Sequence, residues 1–499
     1  MRFALEDAAD YVIVGTGAGG ATAARVLSAA GLSVVMLEEG PALQPGERRR
    51  GLLDAMAQSV RQLGTVSTAG TAPIPLLQGR CVGGSTAINS GIIWRLPEQV
   101  RRDWSERHGL GELVDAAAQR EIFEQLEAEL EIAEVDSSVR GGNAHLMQKA
   151  SEALGLNGQA MRRNAKRCVG SARCLQGCPE GARQSMDVSF VPRALERGAR
   201  LHALARVARV ITHEGRACGV EGELLDQERK PHGRFRVRAR RGVILAAGAL
   251  FTPLLLLRSG IRRMVGERFA AHPGAAILGR FATPVGMGFG ATQSYEVPMP
   301  ELGAKLESLS LPPELLASRL PGAGEEWQRR LRQLDYFAQW AVVVRMEALG
   351  RVRPGRFGGV QVRYEPTAGD LARLKQGAAL LVRMMFAAGA DEVYPGVAHV
   401  PDVLTSPEQA ELLLHPQLQR RDFHLMASHH FASASAGSDP QRSVVGPNLE
   451  CHELKRLFVM DASALPTNLG VNPQHSIMAV VYRAAEWLAN EGVSHRSAA

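Results

Sequence analysis

A chain of 499 residues with 45% hydrophobic content can bury a large core, and its length points to two or three domains and away from a fibre or a tail. Its 58 basic and 51 acidic residues leave a formal charge of +7. The arginines are scattered, with no lysine-rich block and no basic patch interleaved with aromatics, so the charge reads as solvated surface and no nucleic-acid partner is expected.

A strand expected from Asp10 leaves no room before it for a charged leader and an apolar stretch. The most apolar run, "GVILAAGALFTPLLLL", is interrupted by Pro253 and is too short to cross a bilayer. Six cysteines, Cys81, Cys168, Cys174, Cys178, Cys218 and Cys451, do not make a secreted disulfide framework. The expected location is the cytoplasm, with no transmembrane segment.

The first unit, "DYVIVGTGAGGATAARVLSAAGLSVVMLEEG", reads as strand, glycine turn, helix and strand. Tyr11 to Val14 form the first strand, Ala21 to Ala30 are strong helix formers, and Val34 to Leu37 form a second strand ending on Glu38. Gly15, Gly17 and Gly20 fit G-x-G-x-x-G: a tight turn, a close approach of backbone to a pyrophosphate, and close helix–strand packing. The helix N-terminus offers amides to that pyrophosphate, and Glu38 is placed to accept from ribose hydroxyls. The unit therefore reads as a dinucleotide site, without choosing between FAD and NAD. A second glycine-rich stretch, "GRCVGGSTAINSGIIWR" at 79–95, follows no apolar strand and reads as a loop whose backbone passes close to something flat or bulky.

Further along, "KRCVGSARCLQGCPEGARQS" sets Cys168, Cys174 and Cys178 at C-x5-C-x3-C-P. A cysteine at Ser171 would complete the bacterial ferredoxin spacing. A compact loop or a single disulfide is the favoured reading, and a cluster on these three cysteines the lesser one. "GVILAAGALFTPLLLLRSGI" at 242–261 reads as a buried strand, Gly248, and a helix from near Pro253. The middle holds strand-like "AAILGRF", "FAQWAVVVRM" and "GGVQVRYEP", then a helix from Asp370 to Ala388. Between them, "ELGAKLESLSLPPELLASRLPG" has leucines at helical spacing, most simply core; a lid or an amphipathic contact is the other reading. The closing region, "LFVMDASALPTNLGVNPQHSIM", reads as a strand ending on Asp461, a loop, and an apolar helix from Pro473 to about Leu488. Asn472 is a favoured N-cap and Pro473 suits the first helical position. His475, one turn on, is a candidate for chemistry as well as for packing.

Four of these segments, in this order and at these separations, resemble the glucose-methanol-choline (GMC) family of flavin oxidoreductases. The family's patterns are the G-x-G-x-x-G unit, G-R-x-x-G-G-S-S-x-x-N, G-A-x-x-T-P-x-L-L-x-x-S-G-I, and D-A-S-x-x-P with N-P. The resemblance spans 10–100, 160–275 and 350–490. It implies an α/β fold in which a discontinuous Rossmann-like FAD-binding domain, 1–264 and 426–499, joins a substrate domain at 265–425 whose antiparallel sheet roofs the flavin. By position, Arg80, Gly83, Gly84, Ser85, Asn89 and Gly248 would border the flavin or its diphosphate. Asp461 would sit near the ribityl or pyrophosphate region and Val207 near adenine, with Asn472 and Pro473 beside the ring. Some members tether FAD through a histidine where this chain has Ile88, so FAD is expected to be non-covalent. Some also hold an iron-sulfur cluster in the cysteine-bearing loop.

The resemblance further implies a catalytic histidine in a segment written H-x-x-G-T, followed by M-G and D-P. Here "SHHFASASAGSDPQRSVVG" selects His429, with His430 one position away, while Ala432, Ser433 and Ala436 depart from the pattern. His272-Pro273 matches a family landmark of no assigned role. The expected reaction is oxidation of the CH–OH group of a small neutral alcohol. His429 would take the hydroxyl proton, Asn472, and with it His475, would hold the hydroxyl, and hydride would pass to flavin N5. Few charged residues stand near this centre in the sequence, which is the reason for expecting a neutral substrate. Oxygen or another acceptor would reoxidise the flavin. A lyase or a non-redox flavoprotein using the same histidine and asparagine remains the alternative.

Overall fold

The computed structural model describes residues 3–356 and 359–494. In chain order it contains β1 (Leu5–Val14), α1 (Ala18–Ala29), β2 (Val34–Leu37), β3 (Arg200–His202), β4 (Ala205–His213), β5 (Arg216–Leu225), β6 (Pro231–Leu245) and α2 (Gly248–Arg258). These are followed by β7 (Ala270–Phe281), β8 (Tyr295–Met299), β9 (Ala304–Ser308), β10 (Phe337–Val344), α3 (Ala368–Ala388), β11 (Ala390–Tyr394), β12 (Leu425–Phe431), β13 (Leu457–Val459) and α4 (Gln474–Ser494).

The first sheet runs β3-β2-β1-β6-β5-β4, with β13 also paired to β6. Its centre is parallel. Val12, Ile13, Val35 and Ile244 expose none of their surface, as a parallel sheet covered on both faces requires. The second sheet runs β11-β7-β10-β9-β8 and ends on a short strand at Gln159–Ala160, with β12 also on β7. Every pair in it is antiparallel. The fold is thus the expected α/β class, a Rossmann-like sheet assembled from separated stretches together with an antiparallel sheet. Helix α3 packs on β10 and β7. Thr367 and Asp370 form a reciprocal capping box at its start, and Gly389 ends it at φ 101°.

Several elements differ from the sequence reading. Helix α2 begins at Gly248, with Pro253 inside it. Proline has no N–H to give the carbonyl four residues earlier, and that acceptor, Ala249 O, instead takes a hydrogen bond of 2.6 Å from Ser433 Oγ. The leucine-rich stretch is not a long helix: it contains β9 and only a short helix at Pro313–Ala317. Its Leu306, Leu316 and Leu320 are core residues. The strand at Val360–Arg363 lies in a separate sheet with Arg351–Pro354 and Thr68–Ala69. Helix α4 continues past Leu488 to Ser494.

The return of the chain to the first sheet is held by one carboxylate. Asp461 Oδ2 accepts from Gly248 N at 2.7 Å and Thr252 Oγ1 at 2.5 Å, and Oδ1 accepts from Ser463 N at 2.8 Å and Ser463 Oγ at 2.5 Å. A carboxylate at the start of α2 also meets the positive end of the helix. Replacing Asp461 by Ala strands these donors in a buried place, and a loss of about 3 kcal/mol in unfolding free energy is expected. Denaturant titration checks it, and a loss below about 1 kcal/mol contradicts this role.

Candidate active site

Two glycine turns come face to face. Gly17 precedes α1 without a side chain to cap its amides, and a Cβ placed on it would meet nothing within 4 Å. Opposite, Gly83 and Gly84 adopt left-handed φ of 92° and 53°, and a Cβ on Gly84 would come to 2.9 Å from Gly17 Cα. Gly15 and Gly20 serve packing, since a Cβ on Gly20 would lie 2.0 Å from Gly15 O and one on Gly15 would lie 2.3 Å from Ala246 O. Thr16 Oγ1 ties the turns together, donating to Glu38 Oε2 at 2.8 Å and accepting from Gly83 N at 3.1 Å.

Glu38 is buried, and burial raises its pKa despite the bonds it accepts from Gly40 N and from Thr16. Those bonds fill three of a carboxylate's roughly four acceptor positions. Ala205 N bonds Glu38 O at 2.8 Å, which sets the buried Val207 two residues away. Arg80 pairs with Glu39 at 3.7 Å, and Ser85 Oγ accepts from Gly79 N at 3.0 Å. Asn89 fastens the loop to the last helix, donating to Gln474 Oε1 at 2.8 Å. Uncapped helix amides, open space before Gly17 and a buried acidic acceptor with capacity left are a donor and acceptor set that fits a dinucleotide.

Beside this cradle, β12 carries His429 and His430 on opposite faces, as strand alternation dictates. His430 is buried, packs on Phe269 at 5.8 Å, and its Nε2 lies 3.1 Å from Ala427 O. His429 instead meets His272 of β7, with their Nδ1 atoms 3.2 Å apart. Burial, then the charge of Lys305, pushes His429 down to about 3. Burial likewise lowers His272, and it pushes His430 down to about 4. His272 thereby gains a contact that its sequence position alone did not reveal.

The approach to Asn472 runs alongside the segment that follows His430. Ala432 N, Ala434 N and Ala436 N bond the carbonyls of Ala462, Ser463 and Ala464 at 3.2, 2.9 and 2.8 Å. Asn468 Nδ2 bonds Ala271 O at 2.6 Å, next to His272, and Arg345 Nε bonds Asn468 O at 3.1 Å. Asn472 does not spend its side-chain oxygen on capping α4: Oδ1 accepts from Lys305 Nζ at 2.5 Å. Pro473 follows, and its carbonyl takes the first bond of the helix from Ile477 N at 2.9 Å.

Lys305, Glu296 and Glu307 were not anticipated. Their side chains are buried, with Lys305 Nζ at 2.8 Å from Glu296 and 2.7 Å from Glu307. The expectation of a centre with few charged neighbours is therefore corrected. His475 lies elsewhere: it is fully buried against Phe123 at 4.8 Å, with Nε2 3.4 Å from Glu127 Oε1. The structure does not bring it to His429.

The cysteine run forms a buttress. Arg183 donates to the carbonyls of Ala87 and Asn89 in the glycine-rich loop and to Cys174 O. Arg163 Nη2 reaches Cys174 Sγ at 3.1 Å. Burial raises the Cys174 thiol, but Arg163 and Arg183 outweigh it and bring the group down to about 7. All six cysteines are free, and among the described residues no group of three or more His, Cys, Asp or Glu side chains could hold a metal ion. Cys168, Cys174 and Cys178 do not assemble as ligands.

A Rossmann-like sheet with facing glycine turns, joined to an antiparallel sheet that sets His272 against His429 and Lys305 against Asn472, is the frame of a flavin-dependent oxidoreductase. Sequence models of GMC oxidoreductases match residues 9–274 and 354–480, and the chain belongs to that family. An uncharacterized GMC-type oxidoreductase of Mycobacterium tuberculosis is 35% identical over 96% of this chain and 75% of its own length. Another, from Sinorhizobium fredii, is 32% identical over 96% and 94%. A long-chain-alcohol oxidase of Arabidopsis thaliana is 26% identical over 97% of this chain and 69% of that protein. Among solved structures, formate oxidase of Aspergillus oryzae superimposes with a TM-score of 0.74 at 16% identity, covering 98% and 99% of the two chains.

Buried His272 and His430 and the half-buried His429, all with lowered pKa, fix a pH dependence of stability. The unfolded chain binds protons as pH falls below about 6.5, while native His272, His429 and His430 do not, so stability is complete above that value and falls steadily as pH drops towards 4. Replacing His430 by Phe should flatten this decline. Melting curves of both proteins between pH 4 and 8 check it, and parallel curves would contradict it.

Proposed function

We propose that the protein oxidises the CH–OH group of a small neutral alcohol, with non-covalently bound FAD as the oxidant. The observation that carries the reading is the His272–His429 pair on the sheet whose Lys305 engages Asn472. Gly17, Gly83, Gly84 and the first amides of α1 would receive the FAD diphosphate and Glu38 a ribose hydroxyl, and Ile88 offers no atom for a covalent link. Bound FAD supplies acceptance of the hydride released from the alcohol carbon.

The chain's own residues handle the proton and the orientation. The His429 Nδ1 contact with His272 leaves Nε2 as the nitrogen for substrate. With both rings neutral, one Nδ1 donates to the other, and the tautomer in which His429 is the donor keeps its Nε2 free to accept the hydroxyl proton. Asn472, its oxygen held by Lys305, offers N–H donors to the substrate oxygen. The ammonium is saturated by Glu296, Glu307 and Asn472, so it leaves no free charge for an anionic substrate. Relatives named long-chain-alcohol oxidase and cholesterol oxidase support the alcohol class. Among the described residues no helix is long and apolar enough to cross a membrane, and a cytoplasmic location fits that.

Anaerobic mixing of the holoenzyme with a panel of primary and secondary alcohols, with hydroxy acids as the charged comparison, tests the reading. Flavin bleaching by neutral alcohols is expected, and a panel that leaves the flavin oxidised rejects it in favour of a lyase or a non-redox role. His429→Ala should retain FAD and slow reduction by ~100-fold to ~10,000-fold. Because burial and Lys305 hold His429 far below 6.5, kcat/KM should stay on its plateau as pH falls through that value. A steep acid limb centred near 6.5 would remove His429 as the base.

A further inference from the structure

The Glu296–Lys305–Glu307 group makes poor sense as a stabilising device. Glu296 and Glu307 stand directly opposite each other on β8 and β9, an arrangement in which like charges repel. All three side chains are removed from water, with exposures of 1%, 2% and 5% for Glu296, Lys305 and Glu307. Buried ion groups of this kind are commonly no better than apolar residues of the same volume. Yet the group is built with care. Glu296 also accepts from Trp94 Nε1 at 3.2 Å and Gln159 Nε2 at 3.0 Å, and Glu307 accepts from Gln293 Nε2 at 2.6 Å. Trp94 adds its ring face 5.4 Å from the ammonium. The two carboxylates take two of the three N–H bonds of Lys305 and aim the third at Asn472 Oδ1.

An ammonium donates and cannot accept. An asparagine facing it must therefore present oxygen, and its –NH2 is turned the other way. Without Lys305 the carboxamide could settle in either of two orientations, only one of which offers donors to a substrate oxygen.

We propose that Lys305, clamped by Glu296 and Glu307, is the positioning residue of the reaction centre, locking the Asn472 carboxamide with its N–H donors towards the substrate oxygen. The inference rests on the alcohol-oxidising reading above. It also assigns a second effect to the lysine. His429 is faced by His272 from β7 and Lys305 from β9, with His430 beside it on its own strand. Of these, only Lys305 is charged at neutral pH, and its charge opposes protonation of both His429 and His272, the latter also lying in the field of Arg345.

The test is a double-mutant cycle on purified holoenzyme, read as the limiting rate of anaerobic flavin reduction by the best alcohol of the panel, at a pH on the plateau. Lys305→Met alone would bury two unpaired carboxylates. The variant Lys305→Met/Glu307→Gln keeps the single net negative charge that two carboxylates and one ammonium give the wild type. In the Asn472 background it should slow reduction by about 10-fold to 100-fold with little change in KM, and its acid limb should move to higher pH. Added to Asn472→Ala, it should cost nothing further on the plateau. Equal losses in both backgrounds, or no loss in the first, overturn the proposal.

Asn472→Asp gives an independent arm, because it keeps a partner for Lys305 while removing the N–H donors. Reduction as slow as in Asn472→Ala supports the assignment, and a wild-type rate overturns it. A wild-type enzyme that no alcohol reduces overturns the alcohol-oxidising reading itself, and the inference with it. That outcome is seen before any variant is compared.

Discussion

The architecture depends on bringing two remote stretches of chain back to one strand. Strand β6 pairs in parallel with β1 on one side and with β13 on the other, and more than two hundred residues, including all of the antiparallel sheet but its short edge strand Gln159–Ala160, lie between β6 and β13. Loop closure over such a length grows only slowly in cost, but the return must be specific in register, because a slip of one residue would displace everything downstream. The Asp461 carboxylate supplies that specificity. Its two oxygens bind the start of α2 and the turn after β13 at once, so the loop leading to Asn472 starts from a fixed point.

From that point the centre is assembled by neighbours and not by one rigid element. The segment after His430 hydrogen-bonds alongside the loop after Asp461, and Asn468 reaches across to Ala271 on β7. Strands β7 and β12 then set His272 against His429. Both rings are held neutral by removal from water, and His429 by the charge of Lys305 as well, which costs stability at low pH. The same compromise governs the Lys305 group, where charge is kept in the interior at a place where its direction matters more than its contribution to folding.

Much of this was legible in the chain. The first glycine turn was readable because a Cβ at Gly15 or Gly20 would strike backbone, and the limits of β2 agree with Val34 to Leu37. His429 and His430 could not be told apart by their spacing to Asn472, since adjacent residues differ by one. On a strand, adjacent side chains point to opposite faces, and there His429 meets His272 while His430 packs on Phe269. Lys305 and Glu307 were hidden for a different reason. All five residues of β9 are buried, so the exposed–buried alternation that marks a half-covered strand is absent, and the surrounding leucines mimic a helical period. His475 was overrated because a polar residue at the start of a helix can face any neighbour, and here it faces Phe123 and Glu127.

The stretch Ala432 to Ala436 departs from the Gly-Thr and Met of the family pattern, and its physical setting shows what the departure changes. Ala432 sits at φ 63°, the left-handed conformation that glycine adopts freely and alanine enters at a cost of about 1–2 kcal/mol. Ser433 keeps a hydroxyl, and that hydroxyl satisfies the carbonyl orphaned by Pro253 in α2. The residues from Ala432 to Ala436 are all buried, with β12 before them and the loop after Asp461 hydrogen-bonded alongside. Ala432 and Ser433 thus keep the backbone conformation and the hydroxyl of the pattern, while Ala436 is smaller than its Met.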